Sequence, residues 1–98
     1  MPQSVKWLRK ALKNLEQAYE YIAEDNPDAA VQVVLKIQAA AAQLVEFPLL
    51  GKLGRVEQTR ELVIAHTPYI LVYRVKGKTV EILRVLHGSK RYPDEGMR

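Results

Sequence analysis

The chain has 98 residues, of which 48% are hydrophobic and 27% charged, and a formal net charge of +4. That is the size and composition of one ordinary globular domain, too small for two cores. There is no cysteine, so disulfides, thiolate nucleophiles and cysteine-ligated zinc are excluded. No apolar run has the length of a membrane span and no signal-peptide core opens the chain, which makes a cytoplasmic protein the expectation.

In chain order, Val5–Leu8 is compatible with a short edge strand or the start of a helix. From Lys10 onward Ala11, Leu12, Leu15, Tyr19 and Ile22 recur at three- and four-residue spacing and predict one apolar helix face. Asp25-Asn26-Pro27 stops that helix and starts another, because Asn26 suits an N-cap, Pro27 the first helical position and Asp28 the positive helix end. Ala30, Val33, Val34, Ile37, Ala41 and Leu44 form the apolar side of this second helix. It is expected to end near Glu46, since Pro48 disfavours helical geometry at Phe47. The result is a helix hairpin over about 9–46 with a connection so short that the helices must be antiparallel. The Ala39–Ala42 run reads as a device for close packing.

A basic loop over 48–57 follows, with Gly51 and Gly54 set among Lys52 and Arg55. It lacks the GK[ST] ending of a nucleotide P-loop and follows no strand. Three strands are then predicted, at about 59–64, 69–76 and 79–87, followed by a tail over 88–98. The Gly77-Lys78 turn is a hairpin signal, and it sets Arg74 opposite Glu81 as a cross-strand ion pair. Carried to the end of each strand, this register puts Arg60, Tyr73, Ile82 and Arg84 on one face and Glu61, Arg74, Glu81 and His87 on the other. The expected fold is α+β: an N-terminal antiparallel helix hairpin packed on a small, mainly antiparallel sheet of three to four strands.

Charge is divided unevenly. Residues 1–46 hold five Lys/Arg and six Asp/Glu, whereas residues 47–98 hold ten and five, so the second half is the one suited to a polyanion or an acidic partner. Candidate target- or phosphate-binding residues are Lys52, Arg55, Arg60, Arg74, Arg84 and Arg91, because a guanidinium presents a fixed fork of donors. The competing expectation is that these arginines pair with Glu57, Glu61 or Asp94-Glu95. His87 is a candidate general acid or base beside Arg84, Arg91 and Tyr92, a set able to stabilise a phosphoryl transition state. His66 reads as a solvated turn residue. The two histidines have no tight metal-ligand spacing with carboxylates, and no serine-histidine-acid elbow is present, so neither a metal nor a cofactor is expected.

Several segments together resemble a known family. They are Tyr21-Ile22-Ala23 with Asn26-Pro27, the loop through Arg55-Val56, Thr59-Arg60-Glu61-Leu62, the run Pro68–Val75, and Val85-Leu86-His87 through Arg91-Tyr92-Pro93. In order and spacing, from about Val5 to Pro93, they look like the RelE/ParE superfamily of bacterial type II toxin–antitoxin systems. The resemblance implies a growth-inhibiting toxin neutralised by a cognate antitoxin with an acidic C-terminal segment, in a hetero-oligomeric complex. It also implies one of two targets. ParE-like members poison DNA gyrase, and RelE-like members cut mRNA on the ribosome without a metal, using Lys and Arg with a C-terminal Tyr or His. Here the positions within Glu61–Ile70 that would carry the central RelE-type cations hold mostly Glu, Val, Ile and Ala, which favours the ParE-like branch. His87, Tyr92, Arg84 and Arg91 would be catalytic only in the ribonuclease.

Overall fold

The computed structural model describes residues 2–89, 92 and 93. Its elements are β1 (Ser4–Trp7), α1 (Arg9–Ala23), α2 (Pro27–Gln43), β2 (Lys52–Leu53), β3 (Arg60–Val63), β4 (Tyr69–Lys76) and β5 (Thr79–His87). The strands form one five-stranded sheet in the order β1-β5-β4-β3-β2. It is antiparallel except where β1 lies parallel on β5, with Val5 opposite Val80 and Trp7 opposite Ile82. The strand count exceeds the expected three to four because the N-terminal segment forms an edge strand, Ser4–Trp7, and a two-residue strand, β2, forms within the basic loop.

Two helices cover one face of the sheet. Asn26 caps α2 as expected, its Oδ1 accepting from the Ala29 N–H at 3.1 Å. The helix closes at Gln43, and residues 44–46 continue as turn rather than helix. The main core joins Ala11, Ala18, Ile37, Ala41 and Leu44 of the helical layer to Tyr69, Leu71, Tyr73, Val80, Ile82 and Val85 of the sheet. Of the alanine run, Ala41 is buried in this core and Ala40 packs against it, while Ala39 and Ala42 are exposed. Leu12 and Tyr19, expected to be inward, are 52% and 38% exposed, and Ala18 takes the buried place. On the other face a smaller cluster gathers Val72, Leu86 and Tyr92, with Val56 and Leu83 packed against it.

The β4–β5 register follows the expectation from the Gly77 turn as far as Tyr73 opposite Ile82. There a bulge intervenes, and Val72 lies opposite Arg84, leaving Leu83 as the extra residue. Every position beyond it changes face, as a one-residue slip in a period-two strand requires. Arg84 therefore leaves the face of Arg60 and Tyr73 to stand opposite Val72, and His87 leaves the face of Glu61 to stand opposite Tyr69. This corrects the face assignment drawn from uninterrupted alternation.

Candidate target interface and its anchors

The basic loop is built around one buried carboxylate. Glu61, on β3 and 3% exposed, accepts from Arg55 Nε at 3.2 and 3.1 Å, from Arg55 Nη2 at 2.9 Å and from the Arg55 backbone N–H at 2.8 Å. Burial alone would push the Glu61 carboxyl up, but the Arg55 side-chain and backbone donors, with Lys52 nearby, hold it below the ordinary carboxylate value. The same guanidinium lies 5.1 Å from the centroid of the Tyr92 ring, and its Nη1 donates to the Tyr92 carbonyl at 3.5 Å. Arg55 thus ties loop, strand and C-terminal segment together through a bidentate pair and a cation–π contact.

A second knot holds the start of that loop. Tyr73, fully buried, donates its hydroxyl to the Pro48 carbonyl at 2.8 Å and accepts from the Gly51 N–H at 2.9 Å. Arg60 Nη1 donates to the Gly51 carbonyl at 2.7 Å. Gly51 has to be glycine, because a Cβ there would stand 2.8 Å from the Glu61 carbonyl oxygen and 2.9 Å from the Tyr73 ring. Both contacts are with atoms fixed by the sheet or the core.

The remaining candidates separate. Arg74 pairs with Glu81 at 2.7 Å, as the hairpin register predicts, and this hydrogen bond holds the Glu81 carboxyl below its ordinary value against the opposing effect of burial. Arg84 is 2% exposed and donates from Nε to Asn14 Oδ1 at 3.1 Å, and the Val85 N–H reaches the same oxygen at 3.1 Å. Asn14 sits on α1 just beyond the end of β1, where β5 no longer has a strand beside it. Sequence reasoning missed this residue. Asn14 lies next to the apolar positions Ala11, Leu15 and Ala18, and a lone polar side chain beside such a stripe was the available signal.

His87 is exposed at the end of β5 and faces the helical layer, its ring edge-on to Tyr69 at 5.5 Å. Its Nδ1 accepts from the Ser89 N–H at 3.1 Å and lies 2.8 Å from Ser89 Oγ, so the neutral ring carries its proton on Nε2. With Asn14, Gln17, Tyr21 and Tyr69 it lines a shallow cleft of about 350 Å³. Tyr92 packs on the opposite face, in the cluster with Val72 and Leu86. The two expected proton-transfer candidates are therefore separated by the sheet. Lys52 is exposed on β2, His66 is exposed in its turn with a φ of 63°, and Arg91, Asp94 and Glu95 lie outside the described residues. Among the described residues no group of three or more His, Asp or Glu side chains is placed to hold a metal ion.

The family described as ParE toxin of type II toxin–antitoxin system, parDE, matches residues 5–92. The protein Y4kP of Sinorhizobium fredii is 44% identical over 89 residues, covering 91% of this chain and 92% of its own length. Toxin RelE2 of Caulobacter vibrioides is 35% identical over 86 residues, covering 88% and 96%. Among solved structures, a chain of the chromosomal ParDE toxin–antitoxin system from P. aeruginosa superposes with a TM-score of 0.78 at 32% identity, over 87% of this chain and 95% of that one. A chain of the toxin–antitoxin complex RelBE2 from Mycobacterium tuberculosis superposes with a TM-score of 0.62 at 27% identity, over 89% and 99%. The helix hairpin on a mixed sheet is the fold of these toxin–antitoxin structures, and the chain belongs to the ParE toxin family within the RelE/ParE superfamily of type II toxin–antitoxin systems.

Proposed function

We propose that this toxin acts as a ParE-like inhibitor of DNA gyrase in the cytoplasm, and that a cognate antitoxin with an acidic C-terminal segment holds it inactive in a hetero-oligomeric complex. The observation that carries the reading is the dispersal, among the described residues, of the groups a metal-independent ribonuclease would need. His87 and Tyr92 lie on opposite faces of the sheet. Arg55 and Arg74 are committed to Glu61 and Glu81, and Arg60 to a backbone carbonyl. General acid–base catalysis requires the proton donor and the charge stabilisers to converge on one reacting phosphate within hydrogen-bond reach. A binding inhibitor needs no such convergence. It needs a rigid surface, which the two anchored ends of the basic loop supply.

A partner with an acidic segment fits the +4 chain, since opposite charge speeds encounter and fixes orientation. No helix among the described residues is long and apolar enough to cross a membrane. The second reading is a RelE-like endoribonuclease acting on ribosome-bound mRNA, and it draws support from relatives that carry the name RelE. His87→Ala and Tyr92→Phe separate the two. A gyrase inhibitor keeps its toxicity in both variants to within the roughly tenfold that an ordinary interface contact of about 1–2 kcal/mol represents. A ribonuclease that had lost its acid or base would fall by about 10²–10⁴-fold in cleavage rate. Loss of that size in either variant, with folding intact, would remove the proposal.

A further inference from the structure

The sheet topology assembles a basic edge that the division of charge between chain halves conceals. Residues 1–15 contain Lys6, Arg9, Lys10 and Lys13 and no acid, and residues 74–78 contain Arg74, Lys76 and Lys78 and no acid. These runs are some seventy residues apart, yet the parallel pairing of β1 on β5 brings them together. Lys6 stands opposite Glu81, which stands opposite Arg74, and in the next row Ser4, Thr79 and Lys76 align. Lys6, Arg74 and Lys76 all act on the Glu81 carboxyl, so three cations surround the one acid of this patch. Lys78 extends the row at the hairpin tip, and α1 leaves the end of β1 carrying Arg9, Lys10 and Lys13, all exposed. Among the described residues only Arg74 of this set is ion-paired.

Stability does not account for the arrangement. The first turn of α1 has no acidic residue and Leu8 provides no side-chain cap, so Arg9 and Lys10 sit against the positive end of the helix dipole, where cations are unfavourable. In α2 the same end carries Asn26 and Asp28. Along β4, Arg74 and Lys76 are two residues apart, about 6.8 Å, and Lys6 lies two strands away from Arg74, about 9.6 Å across the sheet. A solvent-facing set of cations at such spacings suits the phosphates of a nucleic-acid backbone, which bind without sequence readout.

We infer that the β1 edge and the start of α1 form a binding surface for the phosphate backbone of duplex DNA. This deepens the gyrase reading and rests on it for the choice of DNA, because a gyrase inhibitor works beside the duplex its target holds. The surface lets the toxin grip protein and DNA together.

The test is fluorescence anisotropy of the purified toxin with a labelled duplex DNA, a single-stranded RNA and a poly-glutamate peptide, with no gyrase present, from 50 to 200 mM salt. Failure of the gyrase reading and failure of this one are therefore seen in different assays. About four phosphate contacts predict a log–log salt slope near −3.6, or about 10²-fold weaker DNA binding across that range. Lys10→Glu and Lys76→Glu should each weaken binding and flatten the slope by about one unit, while Lys36→Glu, which makes the same charge change on α2, should not. Lys10→Glu places an acid at the helix N-terminus, so its thermal midpoint should hold or rise, which excludes unfolding as the cause of lost binding. Absence of DNA binding, equal loss in Lys36→Glu, or tight binding to poly-glutamate or RNA but not to DNA would each overturn the assignment.

Discussion

Glu61 shows how one residue organises this molecule. A carboxylate 3% exposed would be costly alone, but Arg55 meets it with three side-chain contacts and a backbone N–H, and Arg55 in turn holds Tyr92. Glu61→Gln keeps the shape and removes the charge, so it should destabilise the fold by about 1–3 kcal/mol in urea titration and loosen residue 92, read as faster proteolysis of the C-terminal segment. The pH dependence follows from the same contacts. Glu61 and Glu81 are both held below the ordinary carboxylate value of 4.5. Their contribution to stability is therefore complete above that value and drains away as pH falls through the lower folded-state values. Thermal midpoints should fall on acidification below about pH 4.5, and less steeply in Glu61→Gln. Tyr73→Phe would leave the Pro48 carbonyl and the Gly51 N–H without their partner. The expected cost is about 1–3 kcal/mol by chemical denaturation, with no change in the sheet.

At the scale of elements, the helices and the hairpin were legible because local chemistry determines them. Asn26-Pro27 fixes the start of α2, and Gly77, with φ of 60°, fixes the turn and hence the register from Lys76–Thr79 to Tyr73–Ile82. The Val72/Tyr73 bulge was not legible. Its extra residue, Leu83, is an ordinary strand former, and neither Gly nor Pro marks the place. That one residue put Arg84 on the face of Val72 and His87 on the helix-covered face, across the sheet from Tyr92. β1 stayed ambiguous for a related reason: its partner β5 is about 75 residues away, and four residues carry too little periodicity to tell strand from helix. Asn14 closes the gap that β1 leaves along β5. Asn14→Leu removes the acceptor shared by the Arg84 Nε and the Val85 N–H and should cost about 1–3 kcal/mol. Hydrogen exchange would localise the loss to the second half of β5.

Across the described residues, the covered face of the sheet is structural and the basic loop and the β1 edge carry the exposed cations. The family and fold could be read from the order of short segments, each weak alone. The target could not, because RelE-like and ParE-like toxins share this scaffold and fold does not determine function. What the geometry adds is that, among the described residues, the cations are bound into ion pairs and loop anchors or spread over an exposed edge, with His87 and Tyr92 on opposite faces of the sheet. The most direct test is to induce the toxin without its antitoxin in growing bacteria and pulse-label DNA and protein synthesis separately. A gyrase inhibitor stops DNA synthesis first, with filamentous cells and intact mRNA. Protein synthesis stopping first, with mRNA cleaved at ribosomes, would contradict the account.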